Sequence, residues 1–278
     1  MQFAPSTYYA YKSRPTCLRK VTDTQLKAEI SRIHAENFSA YGVEKLWREL
    51  RRRNIACGRD RVGRLMTELG LRGVTRQRTP PTTTRPAPAW RVETRADLVN
   101  RVFHAPAPNR LWVADITYVL TGKGWCYTAF VTDVYSRYIV GWAVSTSLSA
   151  DLALAALEQA IWARHGETDG VVHHSDRGVQ YTSIRYTERL EEAGAAPSVG
   201  SRGDSYDNAL AESTNGLYKA ELIWRQASWR DASEVEAATA RWVAWWNNAR
   251  IHSALGYLTP TEYEAAARRA HDENPTAA

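Results

Sequence analysis

The sequence predicts an α/β protein. A mixed five-stranded sheet with flanking helices is expected to follow a small all-α domain built on a helix-turn-helix. Three observations carry that prediction. Charge is divided unevenly along the chain. A Pro/Thr-rich stretch interrupts it after residue 75. Beyond residue 110 the hydrophobic period changes from helical to alternating.

The 278 residues carry a formal net charge of +6. Residues 1–90 hold 18 Lys+Arg against 7 Asp+Glu, whereas residues 91–278 hold 18 against 23. The basic excess is therefore N-terminal. That suits a nucleic-acid-facing module joined to a near-neutral or acidic one, and it equally suits a solvated basic surface. No apolar run approaches the ~20 residues that span a bilayer. Met1-Gln-Phe-Ala-Pro5 lacks the basic and apolar segments of a secretory signal. A cytoplasmic protein with no membrane partner is expected. Cys17, Cys57 and Cys126 fit neither a disulfide framework nor a zinc knuckle, and are expected to be reduced.

Residues 1–20 read as an arm. Thr22-Asp23 is placed to cap a helix that runs to about Glu36. Val43, Leu46, Trp47 and Leu50 recur at i, i+3, i+4 and i+7, which predicts a second helix whose other face carries Lys45, Arg48, Arg51, Arg52 and Arg53. Val62, Leu65, Met66 and Leu69 predict a third, which exposes Arg59, Arg61 and Arg64 and stops at Gly70. Helix, turn and basic helix suit DNA contact through these arginines. They also suit a helical bundle that binds nothing. Residues 76–90 contain four prolines and four threonines and form a linker.

Leu111 to Leu120, Trp125 to Asp133 and Tyr138 to Ser145 are rich in Val, Ile, Thr, Tyr and Trp. They predict three antiparallel strands joined by hairpins, with Trp112, Trp125 and Trp142 as core residues. A helix from Leu152 to about His165 should be capped by Ser149 or Asp151. A buried strand at Gly170 to His174, a helix at 182–193, a strand near Ala195–Val199 and a helix from about Asp207 to Ile223 follow. That order matches the ribonuclease H-like fold. Val235, Ala238, Trp242 and Trp246 mark a C-terminal helix, and Thr259-Pro260-Thr-Glu262 starts a short last one before a frayed end from His271. The domain boundaries are then 1–75, 76–105, 106–225 and 226–278.

Three acids stand out: Asp115 on the first strand, Asp176 just past the fourth, and Glu212 early in a helix. They are separated by 60 and 35 residues. Taken singly, each reads more readily as a solvated cap or ion-pair partner. Together they suit a site for Mg²⁺ or Mn²⁺, expected as two ions, since paired ions can serve both the attacking and the leaving oxygen of a phosphodiester. Glu212, Asn215 and Lys219 fall at i, i+3 and i+7 and share a helix face. Asn215, Lys219 and Arg177 are candidate DNA contacts. Asp133 is a decoy expected on hairpin backbone or near Asp115, Asp204 and Asp207 read as loop and cap acids, and His173 and His174 read as structural or DNA-positioning residues.

Trp112-Val-Ala-Asp-Ile-Thr-Tyr118, His174-Ser-Asp-Arg-Gly-Val-Gln-Tyr-Thr182, Tyr206-Asp-Asn-Ala-Leu-Ala-Glu-Ser213 and the stretch from Asn247 to Pro260 carry a resemblance. The chain resembles the OrfB-type transposases of bacterial insertion sequences, which have a retroviral-integrase-like catalytic core. The 35-residue interval and the Lys seven past the Glu belong to that family's signature. Trp246 and Ile251 depart from it, standing where the family commonly has Tyr and Pro. The resemblance implies that Asp115, Asp176 and Glu212 form a metal-binding catalytic triad. It also implies cleavage at element ends, attack of the freed 3′-hydroxyl on target DNA, and a homo-oligomer holding two ends in a synaptic complex. A DNA-binding partner from an upstream reading frame, separate or fused, is implied as well. The competing readings are a ribonuclease H-like nuclease without strand transfer and a non-catalytic DNA-binding regulator.

Overall fold

The structure, a computed structural model, describes residues 18–75, 104–176, 178–199 and 209–273, with Ser6, Tyr9, Leu98 and Val99. Most of the N-terminal arm and linker, Arg177, Asp204 and Asp207 lie outside the described residues. The chain divides into two units, Met1–Val74 and Thr75–Ala278.

In the first unit, α1 (Leu18–Glu36) precedes α2 (Val43–Arg52) and α3 (Arg59–Glu68), which follow the predicted stripes. Ile30, Ile33, Leu46, Leu50, Val62 and Leu65 are fully buried between them. The turn between α2 and α3 is tied by Trp47 Nε1, which donates to the Cys57 carbonyl at 3.0 Å. Gly70, with φ of 68°, ends the third helix as expected. Gly42 and Gly73 meet backbone to backbone, because a Cβ on Gly73 would stand 2.5 Å from the Gly42 Cα. The start of α1 differs from expectation. The helix begins at Leu18, ahead of Thr22-Asp23. Asp23 is not its cap but the partner of Arg61 and Arg64, at 2.7 and 2.8 Å. A residue type that favours caps is claimed here by a long-range ion pair.

The second unit is built on β1 (Leu111–Thr121), β2 (Gly124–Asp133), β3 (Ile139–Ser145), β4 (Val172–Ser175) and β5 (Ala196–Val199). Their order in the sheet is β3-β2-β1-β4-β5. The first three strands pair antiparallel through short turns, while β4 and β5 join in parallel. Parallel neighbours need crossovers. These are α4 (Ala150–Ala163) and α5 (Ile184–Glu192). Ser183 caps α5 by accepting from the Tyr186 N–H. Ser149 occupies the N-cap of α4, but its side chain makes no cap hydrogen bond.

One face of the sheet packs on α4 through Trp112, Ala114, Ala129, Val131, Leu152, Ala156 and Leu157. Gly141 permits that approach, since a Cβ there would overlap the Ala156 carbonyl oxygen. The opposite face is covered by α6 (Ala209–Glu221) and α7 (Ala232–Asn248). Phe130, Tyr218, Trp242 and Trp246 form a chain of ring contacts there, with centroids 4.9–5.1 Å apart along the Phe130–Tyr218–Trp242–Trp246 path. Trp112 is buried as expected and Trp142 is half-buried, whereas Trp125 is 54% exposed. The hairpin of β1 and β2 outruns the helices that cover the sheet, so a residue type typical of cores is left facing water.

The C-terminal helices are fastened to the sheet by polar groups. Asn247 accepts from the Ile139 N–H and donates to the Ile139 carbonyl, at 2.9 and 3.0 Å, which occupies backbone groups of edge strand β3. α8 (Pro260–Glu273) starts on a reciprocal cap: Thr259 Oγ1 accepts from the Glu262 N–H, and Glu262 accepts from the Thr259 N–H. It runs on through His271 to Glu273, longer than the short helix expected. Glu264 on α8 accepts two hydrogen bonds from Arg164 and one from Ser136. Glu221, at the end of α6, takes a forked pair of contacts from Arg250, and both side chains are about 5% exposed (5% and 6%). Arg250 also stacks over Trp246, 4.5 Å from the ring centroid.

A buried pair of this kind fixes geometry more than it adds stability. Arg250→Met alone should destabilise the chain by about 3–5 kcal/mol, because it strands the Glu221 charge. Adding Glu221→Met should recover most of that loss. Urea unfolding of both variants checks this; equal instability of the single and double variants would contradict it.

Candidate active site

The parallel ladder between β1 and β4 ends where Ala114 pairs with Ser175. The next residue on β1 is Asp115 and the next after β4 is Asp176. Asp115 stays on β1, paired with Phe130 of β2, while Asp176 leaves the sheet beside it at the carboxyl end of β4, where open parallel sheets place their ligands. Asp115 is half-buried, whereas the Asp176 and Glu212 residues keep exposed surface.

Each acid near the ladder is held by a donor. Asp115 Oδ1 accepts from the Ile116 N–H at 2.8 Å, and Oδ2 accepts from Asn215 Nδ2 at 2.8 Å. Asp176 Oδ1 accepts from the Gly178 N–H at 2.9 Å. A Cβ on Gly178 would lie 2.9 Å from that same oxygen, so the turn needs glycine there. α6 packs against β1 and brings Glu212 and Lys219 with it. Lys219 Nζ lies 5.0 Å from the centre of the Tyr118 ring.

Charge follows from this geometry. Burial raises the Asp115 carboxyl well above the carboxylate range. The Asp176 charge and, to a lesser degree, Glu212 add to that, against the hydrogen bonds from Ile116 and Asn215. Asp176 is raised too, chiefly because its carboxyl is drawn away from solvent although the residue as a whole keeps exposed surface, and is drawn back by the Gly178 N–H and by His174. Burial pulls Lys219 down, while Asp115 opposes it. Tyr181, also buried, is raised first by that burial and further by Tyr186 and the same two aspartates. The acids therefore sense one another.

The donor set is all oxygen, which suits a hard divalent cation rather than a soft one. Asn215 Oδ1 is buried and has no protein hydrogen-bond partner. A cation beside these acids would offset the repulsion that Asp115 feels from Asp176 and Glu212. Among the described residues, however, no three Asp, Glu, His or Cys side chains are drawn together tightly enough to hold an ion as they stand. His173 bonds Tyr186 Oη at 3.0 Å and His174 bonds Ser198 Oγ at 2.9 Å. Asp133 is fully buried and accepts from the Asn109, Tyr135 and Ser136 N–H groups.

The expected DNA contacts are arranged less simply. Asn215 is buried on Asp115, so its side chain meets an acid rather than open surface. Arg61 and Arg64 pair with Asp23, Arg64 pairs also with Glu68, and Arg52 pairs with Glu49. Arg51 lies against the Trp47 ring and Arg59 contacts only its neighbour Asp60 among the described residues. Arg177 lies outside the described residues. The spacing of Glu212, Asn215 and Lys219 identified their common face but not Asn215's partner.

The integrase core domain family matches residues 105–205, and a second integrase core domain model matches residues 193–260. An HTH-like domain matches residues 21–79. The class is therefore that of integrase-core proteins with an N-terminal helix-turn-helix-like domain. The transposase assigned to insertion sequence element IS986/IS6110 of Mycobacterium tuberculosis (strain ATCC 25618 / H37Rv) is 52% identical, with 96% of each chain covered. The transposase for insertion sequence element IS629 of Shigella sonnei is 50% identical over 96% of this chain and 89% of that one. The HTLV-2 integrase catalytic core domain matches with a TM-score of 0.44 and 17% identity, covering 57% of this chain and 98% of that one. The chain belongs to the insertion-sequence transposases with an integrase core, of the OrfB type.

A raised carboxyl makes the sign of a pH effect definite. Folded Asp115 holds its proton to higher pH than the unfolded chain does, so its cost to stability is absent in acid and grows as pH rises above the ordinary carboxylate range. With EDTA present, Asp115→Asn should remove that cost and raise Tm at neutral pH by about 2–4 °C, the shift that ~1 kcal/mol gives a chain of this size. The gain should shrink to nothing below about pH 3, where the carboxyl is protonated in both states. Thermal melts across pH check it; a lower Tm at neutral pH would contradict it.

Proposed function

We propose that this transposase cleaves DNA at insertion-sequence ends and transfers the resulting 3′-hydroxyl into target DNA, with Asp115, Asp176 and Glu212 as its catalytic acids. The observation that carries the reading is the end of the β1–β4 ladder, which sets Asp115 and Asp176 next to one another at the carboxyl end of β4. Glu212 joins them on a helix whose Asn215 is bonded to Asp115.

The acids would hold Mg²⁺ or Mn²⁺, in a pair. When bound, such ions supply charge neutralisation at the reacting phosphate and lower the pKa of an attacking water. The chain's own residues do the positioning. Asn215 and the Ile116 N–H orient the two oxygens of Asp115. The Gly178 N–H orients Asp176. Lys219, on the Glu212 face of α6, is placed for a phosphate oxygen of the strand that reaches the acids.

DNA ends and target are the substrates, and the first unit supplies further DNA contacts. Arg51 and Arg59 are its foremost candidates, because among the described residues no acid from another helix holds either. Arg52, Arg61 and Arg64 would reach phosphates only by exchanging an internal partner. Holding two ends requires a homo-oligomer, and a DNA-binding partner from an upstream frame, or a fusion with it, would complete end recognition. Among the described residues no helix is long and apolar enough to cross a membrane. The proposed place of action is the bacterial cytoplasm, where the DNA lies.

Asp115→Asn, Asp176→Asn and Glu212→Gln should each lower Mg²⁺-dependent cleavage and strand transfer on element-end DNA by about 10³-fold or more, the scale of losing a group that stabilises charge in the transition state. DNA affinity should stay within about threefold, as the phosphate contacts that dominate it remain. Retained strand transfer in these variants would remove the assignment. Cleavage without any strand transfer in the wild type would favour a plain nuclease.

A further inference from the structure

β1 continues after β4 has left it, and its outer half is exposed on one face. Tyr118 and Leu120 are 43% and 60% accessible, and Trp125 on β2 is 54% accessible. Leu120 pairs with Trp125 and Tyr118 with Tyr127, so side chains 118, 120 and 125 share a face. The Tyr118 and Trp125 rings meet edge to face, with centroids 6.1 Å apart and planes at 90°. The Lys219 ammonium stands 5.0 Å from the Tyr118 ring centre. Tyr118 lies three residues beyond Asp115 on β1, with its side chain on the other face of the strand, and Lys219, which shares a face of α6 with Glu212 and Asn215, joins the ring to the acids.

Core packing does not account for an indole and a phenol held together in water, and a grouped apolar patch of this kind marks a contact site. Its chemistry narrows the partner. The patch is small, it carries a cation at one ring, and it adjoins an acid cluster read as the DNA-cleaving centre. Aromatic faces beside a cation are the means by which proteins hold unpaired bases. A base inside a duplex has its faces covered by neighbours and offers only its edges.

We infer that Tyr118 and Trp125 form a stacking ledge for an unpaired nucleobase of the DNA strand entering the acid cluster, with Lys219 on the adjoining phosphate. The inference rests on the DNA-cleaving reading of that cluster. The ledge favours DNA that is unpaired or pulled apart next to the reacting phosphate, a preference the acids themselves do not supply.

The test uses the full chain and two probes, a blunt duplex and the same duplex with a short single-stranded overhang bearing 5-iodouracil. The wild type should bind the overhang probe more tightly. Tyr118→Ala and Trp125→Ala should each weaken overhang binding by about 5- to 150-fold, the effect of losing one stacked base. Blunt-duplex binding should change by less than about twofold, because phosphate contacts dominate it. Tyr118→Phe should keep the preference, and irradiation should crosslink iodouracil to Tyr118 or Trp125. Both alanine sites are exposed, and unchanged thermal melts will show that the variants fold. Equal loss on both probes, no loss on either, or crosslinks only elsewhere would overturn the ledge. Metal-dependent cleavage is read in parallel. Cleavage without overhang preference removes the ledge alone; overhang preference without cleavage removes the enzymatic reading and leaves the ledge as a DNA-binding feature.

Discussion

Two carboxylates are forced together where one strand stops pairing with another. β1 and β4 run parallel as far as Ala114 and Ser175, and the chain then presents Asp115 and Asp176 in adjacent positions. Loss of solvent raises both carboxyls, and the neighbouring Asp176 charge raises Asp115 further. The arrangement persists because neighbouring elements over-determine it. Ile116 and Gly178 offer backbone N–H groups, and Asn215 offers an amide. The proposed divalent cation would relieve this unfavourable charge pattern.

α6 is the element on which that site turns, since it carries Glu212, Asn215 and Lys219. It is held along its length by groups outside the acid cluster. Tyr218 Oη contacts Thr239 Oγ1 on α7 at 2.7 Å, and Glu221 is clasped by Arg250. The stretch from Asn247 to Pro260, which stood in the sequence as a family motif with no stated role, thereby gains a physical one. Asn247 occupies the backbone of the edge strand, Arg250 closes on α6, and Thr259 caps α8. The segment beyond residue 226 is thus packed into the sheet unit rather than appended to it.

Much of the fold was legible because its signals are local. Alternating β-branched and aromatic residues mark β1 to β3, and helical stripes mark α2, α3 and α7. The elements that carry Asp115, Asp176 and Glu212 were legible too, a strand, a strand end and a helix. What could not be read was nonlocal. Nothing near Asp23 in sequence points to Arg61 and Arg64, which lie 38 and 41 residues away, so a capping residue and two DNA-facing arginines were expected where ion pairs formed. Asn215 could be placed on the face of Glu212 by spacing alone, but its bond to Asp115 spans 100 residues. Trp125 resembled core because indoles usually are; the extent of the covering helices decided otherwise.

The central claim is that Asp115, Asp176 and Glu212 together hold divalent metal. The most direct measurement is anomalous diffraction from crystals of this chain soaked in Mn²⁺. The account predicts density between Asp115 and Asp176, with Glu212 turned toward it. Manganese bound only elsewhere on the chain, with these three carboxylates unliganded, would contradict it.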